Sequence, residues 1–194
     1  MSDKTAQPRK PRADSIRNRK RLLAAAAEVF SVGGPDASLE AVARTAEVGI
    51  GTLYRHFPTR EALFQAVYQN EVGELVELAT RLGEEMEPID AIRRWLRACV
   101  RMVAMKKGMV AALAPVLDAN ASIYADNAAR LRGALAGLLD RAVAARLVRD
   151  DVSADEVLRV MIALCYSREM QAGAQDEIIR LLDIFVDGLG APRP

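Results

Sequence analysis

Apolar positions along this chain recur with helical spacing almost throughout, and the phase of the repeat resets at a few marked breaks. Leu23, Ala26, Ala27 and Phe30 line one face of a first helix predicted from about Ser15 to Val32, closed by Gly33-Gly34-Pro35. Leu39, Val42, Ala43 and Ala46 fall at i, i+3, i+4 and i+7, with Ser38 ahead of them as N-cap and Glu40 in the first turn. Glu47-Val48-Gly49 makes a turn, and a short helix from Ile50 to Phe57 follows. Pro58 breaks that helix, and Thr59 caps a fourth one that stays apolar through Leu63, Val67, Leu75, Leu78 and Leu82 to about Gly83. Beyond Pro88 comes helix after helix. A stripe of Ile92, Trp95, Leu96, Cys99, Val100 and Val103 closes at Lys106-Lys107-Gly108, and a short apolar segment reaches Pro115. A long helix then spans about Ser122 to Leu147, Ser153 and Glu156 form a capping box, and a last helix runs from about Asp176 to Leu189. The predicted fold class is all-α, with about nine helices.

The short helix after Gly49 carries the most chemistry. Placed at about 100° per residue, Leu53 and Phe57 share the side that faces a core, with Ile50 and Tyr54 flanking them. Gly51, Thr52 and Arg55 point outward and His56 lies at the edge. This outer side offers a hydroxyl, a guanidinium and bare backbone, and it carries no carboxylate. Such a face suits a phosphate-lined groove, because arginine grips the major-groove edge of guanine in a bidentate manner while hydroxyls and ring N–H groups donate to phosphate oxygens. Together with the helix before it, the arrangement reads as a helix-turn-helix.

Charge supports the same division of the chain. The net charge of +1 is uneven: residues 1–60 hold 11 Lys+Arg against 6 Asp+Glu, leaving 16 against 20 for the remainder. The polyanion-binding balance therefore sits in the N-terminal third. Residues 1–14, with Pro8, Pro11 and scattered Lys and Arg, read as a disordered basic arm that either is simply solvated or touches phosphates. The helix-turn-helix unit is assigned to residues 15–60 and a second helical domain to residues 61–194. Cys99 and Cys165 lie inside apolar helical patterns and read as buried thiols. Arg17 to Arg21 followed by Leu22–Ala27 imitates a secretory leader, but Glu28 interrupts the apolar run and the spacing is helical. With no stretch of the ~18 apolar residues that a membrane span requires, a cytoplasmic protein without membrane attachment is expected.

The run from Ser38 to Leu63, above all GTLYRHFPTREAL with its preceding LxxVA helix, resembles the DNA-binding motif of the tetracycline-repressor (TetR) family of bacterial transcriptional regulators. The resemblance covers roughly residues 16–70. It implies a dimeric, all-helical repressor released from a palindromic operator on double-stranded DNA by a small-molecule effector, with no cofactor and no metal. The DNA-facing residues this suggests are Arg44, Gly49, Ile50, Gly51, Thr52, Tyr54, Arg55, His56 and Arg60. Gly49 and Ile50 depart from the family pattern, which more often has a hydroxyl and a polar or basic residue there, so an operator cannot be carried over. The resemblance also implies an effector pocket among the later helices, for which Trp95, Met102, Met105, Met109, Leu113, Tyr124, Asn127, Met161 and Tyr166 are candidates. The plainer reading of methionines and aromatics at this spacing is core packing. Helices of residues 153–189 are apolar over so wide an arc that a second copy of the chain is the expected cover, giving a homodimer.

Two other classes stand beside this reading. A helix-turn-helix protein without a small-molecule effector shares every feature of the N-terminal third. An all-α enzyme finds little to work with: the single histidine, His56, is already on the outward face, and neither a Walker A sequence nor a strand leading into GxGxxG is present.

Overall fold

The computed structural model describes residues 10–33, 37–113, 121–167 and 175–190. Within them are eight helices: α1 (Lys10–Gly33), α2 (Leu39–Thr45), α3 (Ile50–His56), α4 (Arg60–Glu85), α5 (Pro88–Leu113), α6 (Ala121–Ala144), α7 (Ala154–Cys165) and α8 (Gln175–Asp187). α1, α2 and α3 form a head. The other five form a body in which α4 packs broadly on α5 and α6, and α5 also carries α7 and α8. One apolar core runs without interruption from Leu22 and Leu53 in the head, through Val67 and Trp95, to Leu182 and Val186 in the last helix.

Two boundaries differ from the sequence expectation. α1 begins at Lys10, ahead of Ser15, which takes residues 10–14 out of the expected disordered arm. Pro11 lies in the first turn, where its missing N–H has no helical partner to lose. Residues 1–9 lie outside the described set. α5 runs through Lys106-Lys107-Gly108 to Leu113 without the expected stop. One glycine costs a helix only about 1 kcal/mol relative to alanine, which is too little to end a helix held by packing on both sides.

The expected caps are present. Ser38 Oγ accepts from the Ala41 N–H at 3.0 Å, and Thr59 Oγ1 accepts from the Ala62 N–H at 3.1 Å. Ser153 accepts from the Glu156 N–H while Glu156 accepts from the Ser153 N–H at 2.8 Å, closing the reciprocal box. The expected turn after α2 is present and has a definite form. The Val48 N–H donates to the Ala43 carbonyl and the Glu47 N–H to the Arg44 carbonyl, each at 3.0 Å, which is a Schellman pair. Its left-handed position is filled by Glu47, at φ 52°, where glycine is the usual choice. The Glu47 carboxylate is ion-paired with Arg21 of α1, and the pair is largely exposed.

α4 and α5 are locked by Trp95. Its ring is fully buried and its Nε1–H donates to the Leu75 carbonyl at 2.8 Å. On the other side of α5, Arg93 and Arg97 reach α8: Arg97 Nη2 meets Asp183 Oδ2 at 2.7 Å, and Arg93 pairs with both Asp183 and Asp187. Past α8, the Arg149 N–H donates to the Leu189 carbonyl at 2.9 Å, so the residues just after α8 are tied to the α6–α7 connection.

Two stability outcomes follow from these contacts. Trp95→Phe keeps the ring and loses the buried donor, so urea unfolding should show a loss of about 1–3 kcal/mol with an unchanged slope. Glu47→Gly removes the left-handed penalty at the cost of an exposed ion pair, and should raise stability by about 1 kcal/mol in the same measurement; a loss would show that the pair with Arg21 outweighs the strain.

Candidate nucleic-acid interface and body cavity

α3 is seven residues long and lacks a side-chain N-cap, because Gly49 stands where a hydroxyl or carboxamide would help. Its position is set by two anchors. Leu53 is fully buried and Phe57 nearly so, while Val48 packs against the same core from the preceding turn. Everything else on the helix turns outward or lies at its edge. Gly49, Gly51 and Arg55 are exposed, Ile50 and Tyr54 are 40% and 46% exposed, and Thr52 and His56 are half-buried. Tyr54, which helical phase put beside the core, therefore presents its ring to solvent. Neither Gly49 nor Gly51 is required by the fold: a Cβ at either would meet nothing within 4 Å, and neither has a left-handed φ. What glycine does at both sites is leave backbone bare on the outward side.

The Arg55 guanidinium lies along its own helix. Its Nε–H donates to the Gly51 carbonyl at 3.1 Å and Nη2 to Thr52 Oγ1 at 3.3 Å. These are exposed contacts whose exchange for an outside acceptor costs little. His56 stacks obliquely on Phe57, with centroids 6.2 Å apart. Arg44, in the last turn of α2, is exposed. Arg60 is different: it is half-buried and its guanidinium lies over the Phe30 ring at 5.4 Å, which gives it a packing role between α4 and α1. Arg19 is placed likewise over Phe57 at 4.8 Å. The next acid along, Glu61, belongs to the cap of α4; hydrogen bonds from its own backbone N–H and then from Thr59 hold its carboxyl below the usual range.

In the body, a cavity of about 570 Å³ lies among α4, α5, α6 and α7. Of the residues expected there, Met102, Met161 and Tyr166 line it. Trp95 does not, being committed to the α4–α5 core, and Met105 faces a smaller space of about 380 Å³ beneath α1. Asn127 is 3% exposed and is not among the cavity's lining residues. Its Oδ1 accepts from Arg130 Nη1 at 3.3 Å, and its Nδ2 has no partner among the described residues. The side chains of Met109, Leu113 and Tyr124 lie outside the described set. The structure adds wall residues that the sequence reading passed over, Tyr68, Lys106 and Leu131 among them. Lys106, where the apolar stripe is expected to close, falls three and four residues after Val103 and Met102, on their face of α5.

Both cysteines are buried and neither forms a disulfide; burial first, then the neighbouring Cys165, pushes the Cys99 thiol far above its ordinary value. No helix among the described residues is long and apolar enough to cross a membrane.

Known proteins match both halves. Residues 22–67 match the family model for bacterial regulatory proteins of the tetR family, and residues 87–191 match the C-terminal domain of SbtR-like transcriptional regulators. A TetR transcriptional regulator from Streptomyces coelicolor is 39% identical with a TM-score of 0.81, covering 90% of this chain and 99% of that one. A TetR regulatory protein from Mycobacterium vanbaalenii is 32% identical with a TM-score of 0.75, covering 93% and 99%. The HTH-type transcriptional regulator UidR of Escherichia coli K12 is 39% identical over 75 residues, 38% of this chain and 35% of UidR, so the match spans about a third of that relative. The likeness to UidR covers 75 residues, whereas the solved relatives follow nearly the whole chain, and with both family models matched the chain belongs to the TetR family of helix-turn-helix transcriptional regulators, which bind DNA operators and act as dimers.

Proposed function

We propose that this chain is a cytoplasmic, non-catalytic repressor that holds a palindromic operator as a homodimer and releases it when a small organic molecule enters the body cavity. The observation that carries the reading is the outward side of α3: exposed, free of carboxylates, backbone-bare at two glycines, and held in one orientation by the burial of Leu53 and Phe57. Arg55 reads a base edge, Thr52, Tyr54 and His56 meet phosphates, and Ile50 touches a thymine methyl. Arg44 meets the backbone. Arg60 reaches phosphate only if its place over Phe30 permits, so its first role is to seat α4 on α1.

The dimer uses α7 and α8. Ile178, Leu182 and Val186 of α8 are buried within the chain, yet Ile184 remains 55% exposed and Leu181 half-buried on the far side. A large aliphatic left in water on a helix otherwise committed to the core is suited to cover by a second copy. Two-fold symmetry then sets two α3 helices about 34 Å apart, one helical turn of duplex.

Release is a population shift. A ligand that favours the arrangement with its α3 helices away from this spacing weakens operator binding by its differential affinity for the two arrangements and no more. The cavity touches α4 through Tyr68, and only three residues separate α4 from α3.

Selection of duplexes from a random pool by the purified protein should return a palindrome with half-sites one turn apart. Arg55→Ala should lose about 1–3 kcal/mol and relax one base position per half-site, whereas Arg44→Ala should weaken all duplexes alike and lower the salt slope by about one; equal loss on selected and random DNA for Arg55→Ala would remove it from base reading. In sedimentation, Ile184→Asp should yield monomers with weakened operator binding, and an intact dimer would place the interface elsewhere.

A further inference from the structure

The effector reading leaves the chemistry of the ligand open, and the cavity wall narrows it. Most of the wall is apolar, with Met102 and Val103 from α5, Leu131 from α6 and Met161 from α7. Its charge is one-sided. Among the described lining residues, Lys106, Arg132 and Arg159 stand against the single carboxylate of Asp155. That carboxylate is already engaged, since Arg132 Nε donates to Asp155 Oδ1 at 2.5 Å, and both side chains are about half exposed at the rim.

Lys106 is placed differently from the two arginines. It enters from α5 beside Met102 and Val103, is half-buried, and holds its Nζ 5.0 Å from the centroid of the Tyr68 ring. Burial pushes its ammonium below the ordinary lysine range. A cation that has given up part of its hydration among apolar side chains gains strongly from an anion, because the pair interacts through a medium less polar than water. A neutral ligand offers the ammonium a weaker partner, and an amine repels it.

Resting on the effector reading, we infer that the cavity takes an organic acid, with an apolar body lodged against Met102, Leu131 and Met161 and one anionic group, a carboxylate by preference, seated on Lys106 Nζ beside Tyr68. At about 570 Å³ the space is in the range of sites for drug-sized molecules. The seat also connects to the head. The incoming anion competes with the Tyr68 ring for the Lys106 ammonium, and Tyr68 belongs to α4, the next helix after α3.

The test uses the full chain and its selected operator, with matched acid, alcohol and amine members on three frames: decanoate, decanol and decylamine; naphthylacetate, naphthylethanol and naphthylethylamine; cyclohexylbutyrate, cyclohexylbutanol and cyclohexylbutylamine. Each is added below its micelle-forming concentration. Thermal shift and operator anisotropy are read together. At least one acid should raise the melting temperature and loosen operator binding, with its alcohol and amine counterparts weaker by roughly ten- to a hundred-fold. Lys106→Met should bring that acid down to the level of the alcohol, and Lys106→Arg should keep the preference. If Lys106→Met does not fold, the native chain and Lys106→Arg decide. An alcohol or amine that binds as tightly as its acid overturns the ligand class while leaving the effector reading in place. An acid preference that survives in Lys106→Met overturns Lys106 as the seat. Failure of every member on every frame to move either readout overturns both.

Discussion

A helix of seven residues has no stability of its own in water, since nucleation alone costs more than one turn of hydrogen bonds returns. α3 exists because Leu53 and Phe57 are buried, each at about 1.5–3 kcal/mol, and because the Schellman turn at Glu47 delivers it to the core at a fixed angle. Its outward side is therefore a by-product of its inward side. The residues on the outward side, Gly51, Thr52 and Arg55, are under little packing demand, which is what allows them to be glycine, threonine and arginine. A recognition helix stabilised by its own capping and propensity would need a capping side chain at Gly49 and a helix former at Gly51, and would cover the backbone that these positions leave bare.

The same dependence extends into the body through one long element. α4 has 26 residues, a length of about 39 Å at 1.5 Å per residue. Near its start Arg60 lies on Phe30 of the head, Tyr68 meets the cavity and Lys106, and Leu75 accepts from Trp95. Head, cavity and α5 therefore share one rigid part. The core is continuous from Leu22 to Leu189, so α4 and α3 share packed neighbours across the non-helical residues 57–59. This is a physical route for coupling, and it carries meaning only if the body has two arrangements that ligand and operator bias in opposite directions.

Much of the head was legible in the sequence, because its determinants are local. Caps at Ser38 and Thr59, the i, i+3, i+4, i+7 face of α2 and the break at Pro58 each act within one turn of chain. The body was legible as helices and poorly legible as a site. Periodicity says that Trp95 and Met105 face inward, as they do, but cannot distinguish an inward side chain that meets another helix from one that meets a void. Lys106 was missed for the opposite reason. A lysine beside Lys107 and Gly108 reads as the close of the apolar stripe, and only the uninterrupted run of α5 to Leu113 brings it onto the apolar face. Glu47 in a left-handed turn carries no sequence signal either, since glycine is what that geometry ordinarily selects.

Three positions break a local rule, and where they fall is informative. Gly51 stands in a helix where alanine would be better by about 1 kcal/mol and nothing fills the space a Cβ would take. Glu47 is left-handed without being glycine. Lys106 is half-buried where an aliphatic residue would pack at no cost in hydration. Folding alone favours none of them, and sequences that fold well keep local and global preferences in agreement except where another demand intervenes. The first lies on the face proposed to meet DNA and the third in the wall proposed to meet an effector. Glu47 sits one turn from the first, paired with Arg21, where its charge is offset beside the face proposed to meet DNA.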